Sequence, residues 1–448
     1  MNTQDFLNKP VKQVFMRYLI PSVFATMVTS IYVLADTIIV GKGIGTIAVA
    51  ALNIVLPLYN IFFGLGLLFG VGGSVLMSIL RGEGDEKGSN AYFSTSLVAM
   101  CVVLALSLAF FTAFMEKIAL VFGGTPETMP YIMDYMPYIV WGMGLFFFSS
   151  YLQTFIRNDG APRLAMYAVV SGGVANIILD YVFVYNFNMG MAGAAIATVM
   201  GSGLTVVILL THFFTKKNNL HFSLKGVRPS FIKNIILNGF ASFLIEVASG
   251  VTIFVFNIQL LKYAGNTGVS VYSIISNTAI VVVCICKGIN QAAQPLLSTN
   301  YGAGLYERTD KIRSLAVKVS IIICAVPVIL GLVVPDFFTY IFINPDSAIL
   351  SMSAPAIRIY FVGFMMLGIN MVFICYFQAI LKNGYSMIIC LMRGLILVVA
   401  FAYIFPLFMD VTGIWLAVPA AETITMLFGI YLIYFKKSAQ REINDKSL

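Results

Sequence analysis

The stretch QTFIRNDGAP, residues 153–162, closes one long apolar run and leads into another. QAILKNGYS, residues 378–386, does the same in the second half of the chain. A polar, glycine-containing break that recurs between apolar runs is the mark of a duplicated, many-spanning membrane protein. Other pieces repeat with it. RGEGD at 81–85 is matched by YGAGL at 301–305, so Gly82 and Gly84 align with Gly302 and Gly304, and Gly193 aligns with Gly413.

The apolar runs themselves set the fold class. About 20 apolar residues cross a bilayer as a helix, and only helices or closed barrels satisfy the backbone in lipid. The sequence predicts twelve spans. The first six lie near 14–40, 52–80, 92–114, 132–155, 163–186 and 191–214. The second six lie near 235–261, 270–298, 316–340, 353–380, 386–409 and 412–435. These runs are far longer than barrel strands. The expected fold is all-α and polytopic, with twelve transmembrane helices in two pseudo-symmetric six-helix lobes. Residues 1–214 would form the first lobe, 215–233 a cytoplasmic link, 234–435 the second lobe and 436–448 a cytoplasmic tail. Six spans per repeat make the repeat parallel, with its axis along the membrane normal.

Composition agrees. Of 448 residues 60% are hydrophobic and 10% charged, against about 25% charged in an average globular chain. Mean hydropathy is +0.93. The net charge of +8 is not a nucleic-acid signal, because the basic residues stand between apolar runs. Assigning both termini and every even-to-odd loop to one side places 22 of the 27 Lys and Arg there. The other side receives Lys42, Lys117, Lys262 and Arg358, and Lys287 falls within span eight. The positive-inside rule then puts both termini in the cytoplasm. The first apolar segment is too long, and too interrupted by Asp36, for a cleavable signal.

Several chemistries are disfavoured. The six cysteines sit in apolar runs and read as small packing residues. GLGLLFGVGG at 64–73 lies inside a span, with no preceding strand and no phosphate-loop lysine, so it reads as close helix packing rather than a nucleotide loop. His212 and His221 have no partner motif, so no enzyme is expected.

The charges within the spans carry the functional reading. The first half holds Asp36 and Asp180 mid-span and no mid-span base. An uncompensated carboxylate in such a segment takes a proton or binds a cation. Asn176 is one turn from Asp180, on the same helix face, and Thr198 lies in the neighbouring span. Carboxylate, amide and hydroxyl oxygens suit a hard cation such as sodium, and the same acids can hold a proton. The second half carries Glu246, Lys287, Arg393 and Glu422. There an ion pair such as Glu246 with Lys287 stands beside a role in attracting cationic substrates. Arg393 is expected to snorkel to its span end.

These residues resemble the multidrug and toxic compound extrusion (MATE) family, in its prokaryotic branch. The resemblance covers nearly the whole chain. It rests on Asp36 in span one, RGEGD after span two, RNDGAPRLAM after span four, NIILDYVFV in span five and GMAGAAIATV entering span six. It implies secondary active efflux of amphipathic, cationic drugs or metabolites by alternating access, as antiport with sodium or protons. It implies a cation site at Asp36, Asn176, Asp180 and Thr198, with Tyr138 of span four and Asn53 as accessory candidates. No other metal, no cofactor beyond the coupling ion and no nucleic-acid partner are expected. The partners are small amphipathic molecules and the lipid bilayer, and a monomer in the cytoplasmic (inner) membrane of a prokaryote is expected. Another branch of the family uses acids of the second lobe. Here the repeat sets Asn257 opposite Asp36, and span ten has Asn370 but no acid, which disfavours a main coupling site there. The competing transporter reading is a lipid-linked oligosaccharide flippase of a related superfamily. The lack of a mid-span base in the first half disfavours it.

Overall fold

The computed structural model describes residues 3–342, 345 and 347–445, with side chains from 4 to 434. Among these residues there are helices, turns and no strands. Ten helices are long and apolar enough to cross a membrane. Met129–Trp141 and Met143–Asn158 are two segments bent by 50° at Gly142, and together they make one more span. The longest helix, Ile232–Gly302, runs 71 residues, several times the thickness of a bilayer. It is broken at Gly265, whose φ of 61° and ψ of −154° are open to glycine and closed to other residues. That break divides it into spans seven and eight and completes the twelve.

In order, the first six are Val11–Gly43, Thr46–Glu83, Glu86–Ala113, the bent pair, Pro162–Asn186 and Gly190–Phe214. After the divided helix come Tyr306–Val333, Ser347–Ala379, Asn383–Ile404 and Pro406–Tyr434. Span nine ends at Val333 rather than near 340. Pro335 opens a separate short helix, Pro335–Phe342. It stands at the same repeat offset as Met115–Val121 after span three, so the duplication extends to a helix pair whose sequences share no motif. The tail expected over 436–448 continues the last helix to Asp445, and residues 446–448 lie outside the described ones.

The chain divides into two compact units. One comprises 1–247 with 291–312, the other 248–290 with 313–448. The first has an aromatic centre of Phe62, Phe146, Phe147, Tyr151 and Phe155. The second is built around Phe256, Tyr272, Tyr360, Phe361 and Phe364. Outer faces are apolar instead: on span three Val102, Leu106, Phe110 and Phe114 form an exposed stripe at four-residue spacing, as lipid contact requires.

Within the first unit the repeat-matched glycines Gly82 and Gly302 pack on each other's helices. A Cβ at Gly82 would lie 2.2 Å from the Thr299 carbonyl oxygen, and one at Gly302 lies 2.0 Å from that of Ile79. The link 215–233 is tied down rather than loose. The backbone amides of His221, Ser223 and Arg228 donate to Asn90 Oδ1, Ser94 Oγ and Thr95 Oγ1 at the start of span three. Phe231 stacks on Tyr92.

Candidate ion-coupling site

Span five delivers two of the four predicted residues. Asn176 and Asp180, one turn apart, are both buried, at 3% and 0% exposure. The helix widens into a π turn directly after them, at Val182–Asn186. Such turns mark places where helix regularity is given up for a site. Span six reaches them because its backbone touches span five. A Cβ at Gly172 would lie 2.6 Å from the Gly201 carbonyl oxygen, and one at Gly201 would lie 2.9 Å from Asn176 Cβ. This contact brings Asn176 Nδ2 to Thr198 Oγ1, which accepts at 3.4 Å. Thr198 in turn donates to Ala194 O at 3.1 Å. From span one, the Asp36 carboxyl stands beside that of Asp180.

What the four leave unsatisfied is the informative part. Asp36 Oδ1, Asn176 Oδ1 and both Asp180 oxygens are buried with no hydrogen-bond partner. All four are acceptors. Buried polar groups are nearly always partnered, and unpartnered carboxylates are the costliest exceptions. A monovalent cation or a proton is what such a set fits.

Substitution at the span contact tests the arrangement. Gly172→Ala is expected to push spans five and six apart and to destabilise the protein by about 1 to 3 kcal/mol through overpacking. Thermal unfolding of the purified variant would check it.

The tyrosine of span four that meets this cluster is Tyr135, not Tyr138. Tyr135 is 5% exposed and lies against Asp36, Asp180 and Thr198. Tyr138 is 37% exposed and packs edge-on to Trp141. Tyr32 and Tyr59 add a second aromatic pair, with hydroxyl oxygens 3.4 Å apart, and Tyr59 lies close to Tyr135. Asn53 is exposed on span two and hydrogen-bonds to none of these residues.

The charges of the second sequence half divide between the two units. Glu246 belongs to the first unit, where its side chain packs beside Gly64 and near Tyr59. Lys287 and Asn257 are half-buried members of the second unit. Arg393 does not snorkel. Its Nη2 donates to Glu422 Oε1 at 2.7 Å and its Nε lies 3.1 Å from the same oxygen, while Asn370 Nδ2 donates to Glu422 Oε2 at 2.7 Å. The π turn Met392–Ile396 carries the arginine. Glu422 is therefore neutralised within the protein and is not a free acid facing a cargo. Arg393→Gln is expected to cost about 3 to 5 kcal/mol by stranding that carboxylate. The double change Arg393→Leu with Glu422→Leu should recover most of the loss, which a comparison of melting temperatures reads directly.

A further cluster escaped the sequence because its members are far apart in the chain. Asp159, fully buried in RNDG, accepts from Arg81 Nη1 at 2.6 Å and His212 Nε2 at 2.7 Å. It also accepts from the Asn219 backbone amide at 3.0 Å and side-chain amide at 3.2 Å. The end of span two, the loop after span four, the end of span six and the link are thereby fastened at one carboxylate. Burial pushes this carboxyl upward. The His212 hydrogen bond, the Arg81 charge and the Asn219 amide outweigh burial and hold it below the usual carboxylate range.

Known proteins were compared with this architecture. The MatE family profile matches residues 21–182 and 236–404. A multidrug export protein MepA of Staphylococcus saprophyticus is 26% identical over 428 residues, covering 94% of this chain and 92% of that protein. The MepA of Staphylococcus aureus strain N315 is 24% identical over 438 residues, 96% of this chain and 95% of its own. Among solved structures, a MATE transporter in complex with MaL6 superposes with a TM-score of 0.92 at 22% identity, over 99% of this chain and 100% of that one. A MOP-superfamily transporter from Pyrococcus furiosus gives 0.91 at 23% identity, over 98% and 99%. With the profile spanning most of both halves and the fold shared end to end, this chain is a multi-pass membrane transporter of the MatE family.

Proposed function

We propose that the protein exports amphipathic, cationic small molecules by alternating access, driven by antiport of sodium or protons at Asp36, Asn176, Asp180 and Thr198. One observation carries this reading: Asp36, Asn176 and Asp180 leave four buried acceptor oxygens without a hydrogen-bond partner. The relatives' description as multidrug export proteins supports drugs as the cargo. Each bare carboxylate is stabilised by the incoming ion, so ion binding and the conformation that closes over it are linked. An ion that binds the two conformations differently shifts their populations, and that difference is what drives cargo outward. Tyr135 and Thr198 hold the wall of the site. No cofactor other than the coupling ion takes part, and the transporter works as a monomer with both termini in the cytoplasm.

Efflux of a cationic dye from reconstituted proteoliposomes, with sodium and proton gradients imposed separately, is the test. Efflux under a sodium gradient at equal pH identifies sodium as the driver, and efflux under a pH gradient alone identifies the proton. Absence of efflux under both contradicts the reading and returns the lipid-linked oligosaccharide flippase to consideration.

A further inference from the structure

Arg157 ends span four as a buried charge. It stands in QTFIRNDGAP, where the repeat sets Lys382 of QAILKNGYS. Lys382 is exposed, as a base at a span end is expected to be. Arg157 is 4% exposed. Among the described residues, the titratable group that acts on its guanidinium is the Tyr18 hydroxyl of span one, and no acid does so. Asp159, two residues further on, is held by Arg81 and His212. A buried guanidinium without a carboxylate is as costly as a buried carboxylate without a base.

Span one supplies two hydroxyls in the same condition. Tyr18 is fully buried, and Ser22, one turn further along the same helix face, is buried too. Neither Tyr18 Oη nor Ser22 Oγ has a hydrogen-bond partner. The Phe6 ring packs on that of Tyr18 at 5.5 Å and helps to fix it. The other charges acting on Tyr18 are Asp159, Asp5 and Arg17. Asp159 is neutralised as above, and Asp5 is paired with Lys9 at 2.7 Å. Arg17 adds a second positive charge. Guanidinium N–H groups and two hydroxyls thus stand buried without an acceptor, the reverse of the ion site, where acceptors lack donors. The two places are separate: Asp36 is 14 residues beyond Ser22 on span one, about 21 Å along the helix.

We propose that Arg157 and Tyr18 bind a small monovalent anion such as chloride, with Ser22 as a further donor. The anion neutralises the guanidinium and accepts from the hydroxyls, which satisfies at once the groups the protein leaves open. The burial of Arg157 and Tyr18 sets the size: it leaves room for a halide and not for an organic anion or a lipid headgroup. An anion held there ties the start of span one to the end of span four, on the side that the charge distribution assigns to the cytoplasm.

The test uses the purified full chain in detergent. Sodium and ionic strength are held constant while chloride replaces gluconate, an anion too large to enter. The melting temperature of wild type should rise with chloride and saturate, because an ion that binds only the folded state stabilises it. Arg157→Gln should lose this response, and in gluconate it should melt at or above wild type, since the uncompensated charge is gone. Tyr18→Phe should weaken the apparent chloride affinity about tenfold, the size of one charge-assisted hydrogen bond. Equal melting of wild type in the two salts, or an undiminished chloride response in Arg157→Gln, overturns the proposal. Should Arg157→Gln not fold, Tyr18→Phe decides: an unchanged chloride affinity overturns the proposal. Saturable stabilisation by inorganic phosphate and none by chloride overturns it in favour of an oxyanion site.

Discussion

Asp180→Asn is expected to cut ion-driven export sharply while leaving a folded, membrane-inserted protein. The substitution keeps the shape of the side chain and removes the charge. Asp36→Asn should behave alike, because its carboxyl stands beside that of Asp180 and the two form one site. Coupling free energies of the usual size correspond to about 5- to 150-fold, so gradient-driven efflux should fall by that order. Stability should move the other way. Two adjacent buried carboxylates are costly to fold around, and neutralising one relieves part of that cost. A melting temperature equal to or above wild type, together with lost ion-driven transport, separates a working acid from a structural one. Undiminished transport by either variant would remove the pair from the mechanism.

Asp159→Ala should destabilise the protein as strongly as Arg393→Gln. It strands the Arg81 guanidinium and leaves His212 and both Asn219 amides without their acceptor. Removing one partner of such a buried pair costs about 3 to 5 kcal/mol. The same carboxylate makes stability pH-dependent, with a definite sign. Its folded-state pKa lies below the ordinary aspartate value of about 3.9. Its contribution is therefore fully present above that value and is lost as the pH falls through the folded pKa. Between pH 6 and pH 3, wild type should lose melting temperature more steeply than Asp159→Asn. Parallel curves for the two would show that Asp159 contributes no such linkage.

The site's core was legible for a simple reason. Asp36, Asn176, Asp180 and Thr198 are isolated polar residues in apolar spans, and helical periodicity puts two of them on one face without tertiary information. The duplication was legible through its loops. Tyr135 was not, because it stands three residues from Tyr138 on one helical segment, and which of the two faces spans one and five depends on how that segment packs. The pairing of Arg393 with Glu422 was hidden by position, since an arginine near a span end reads as a snorkelling one. Asp159 and His212 are 53 residues apart, and their meeting depends on how spans four and six are packed. Glu246 shows the same limit: the sequence half to which it belongs is not the unit in which it packs.

The most direct measurement is ion binding itself. Purified wild type and Asp180→Asn would be compared for retention of radioactive sodium, and for proton uptake or release when sodium is added to weakly buffered protein. The account predicts that wild type binds one monovalent ion, sodium or proton, at a site that Asp180→Asn lacks. Equal binding by the two proteins would contradict it, because the driving ion would then sit somewhere other than between Asp36 and Asp180.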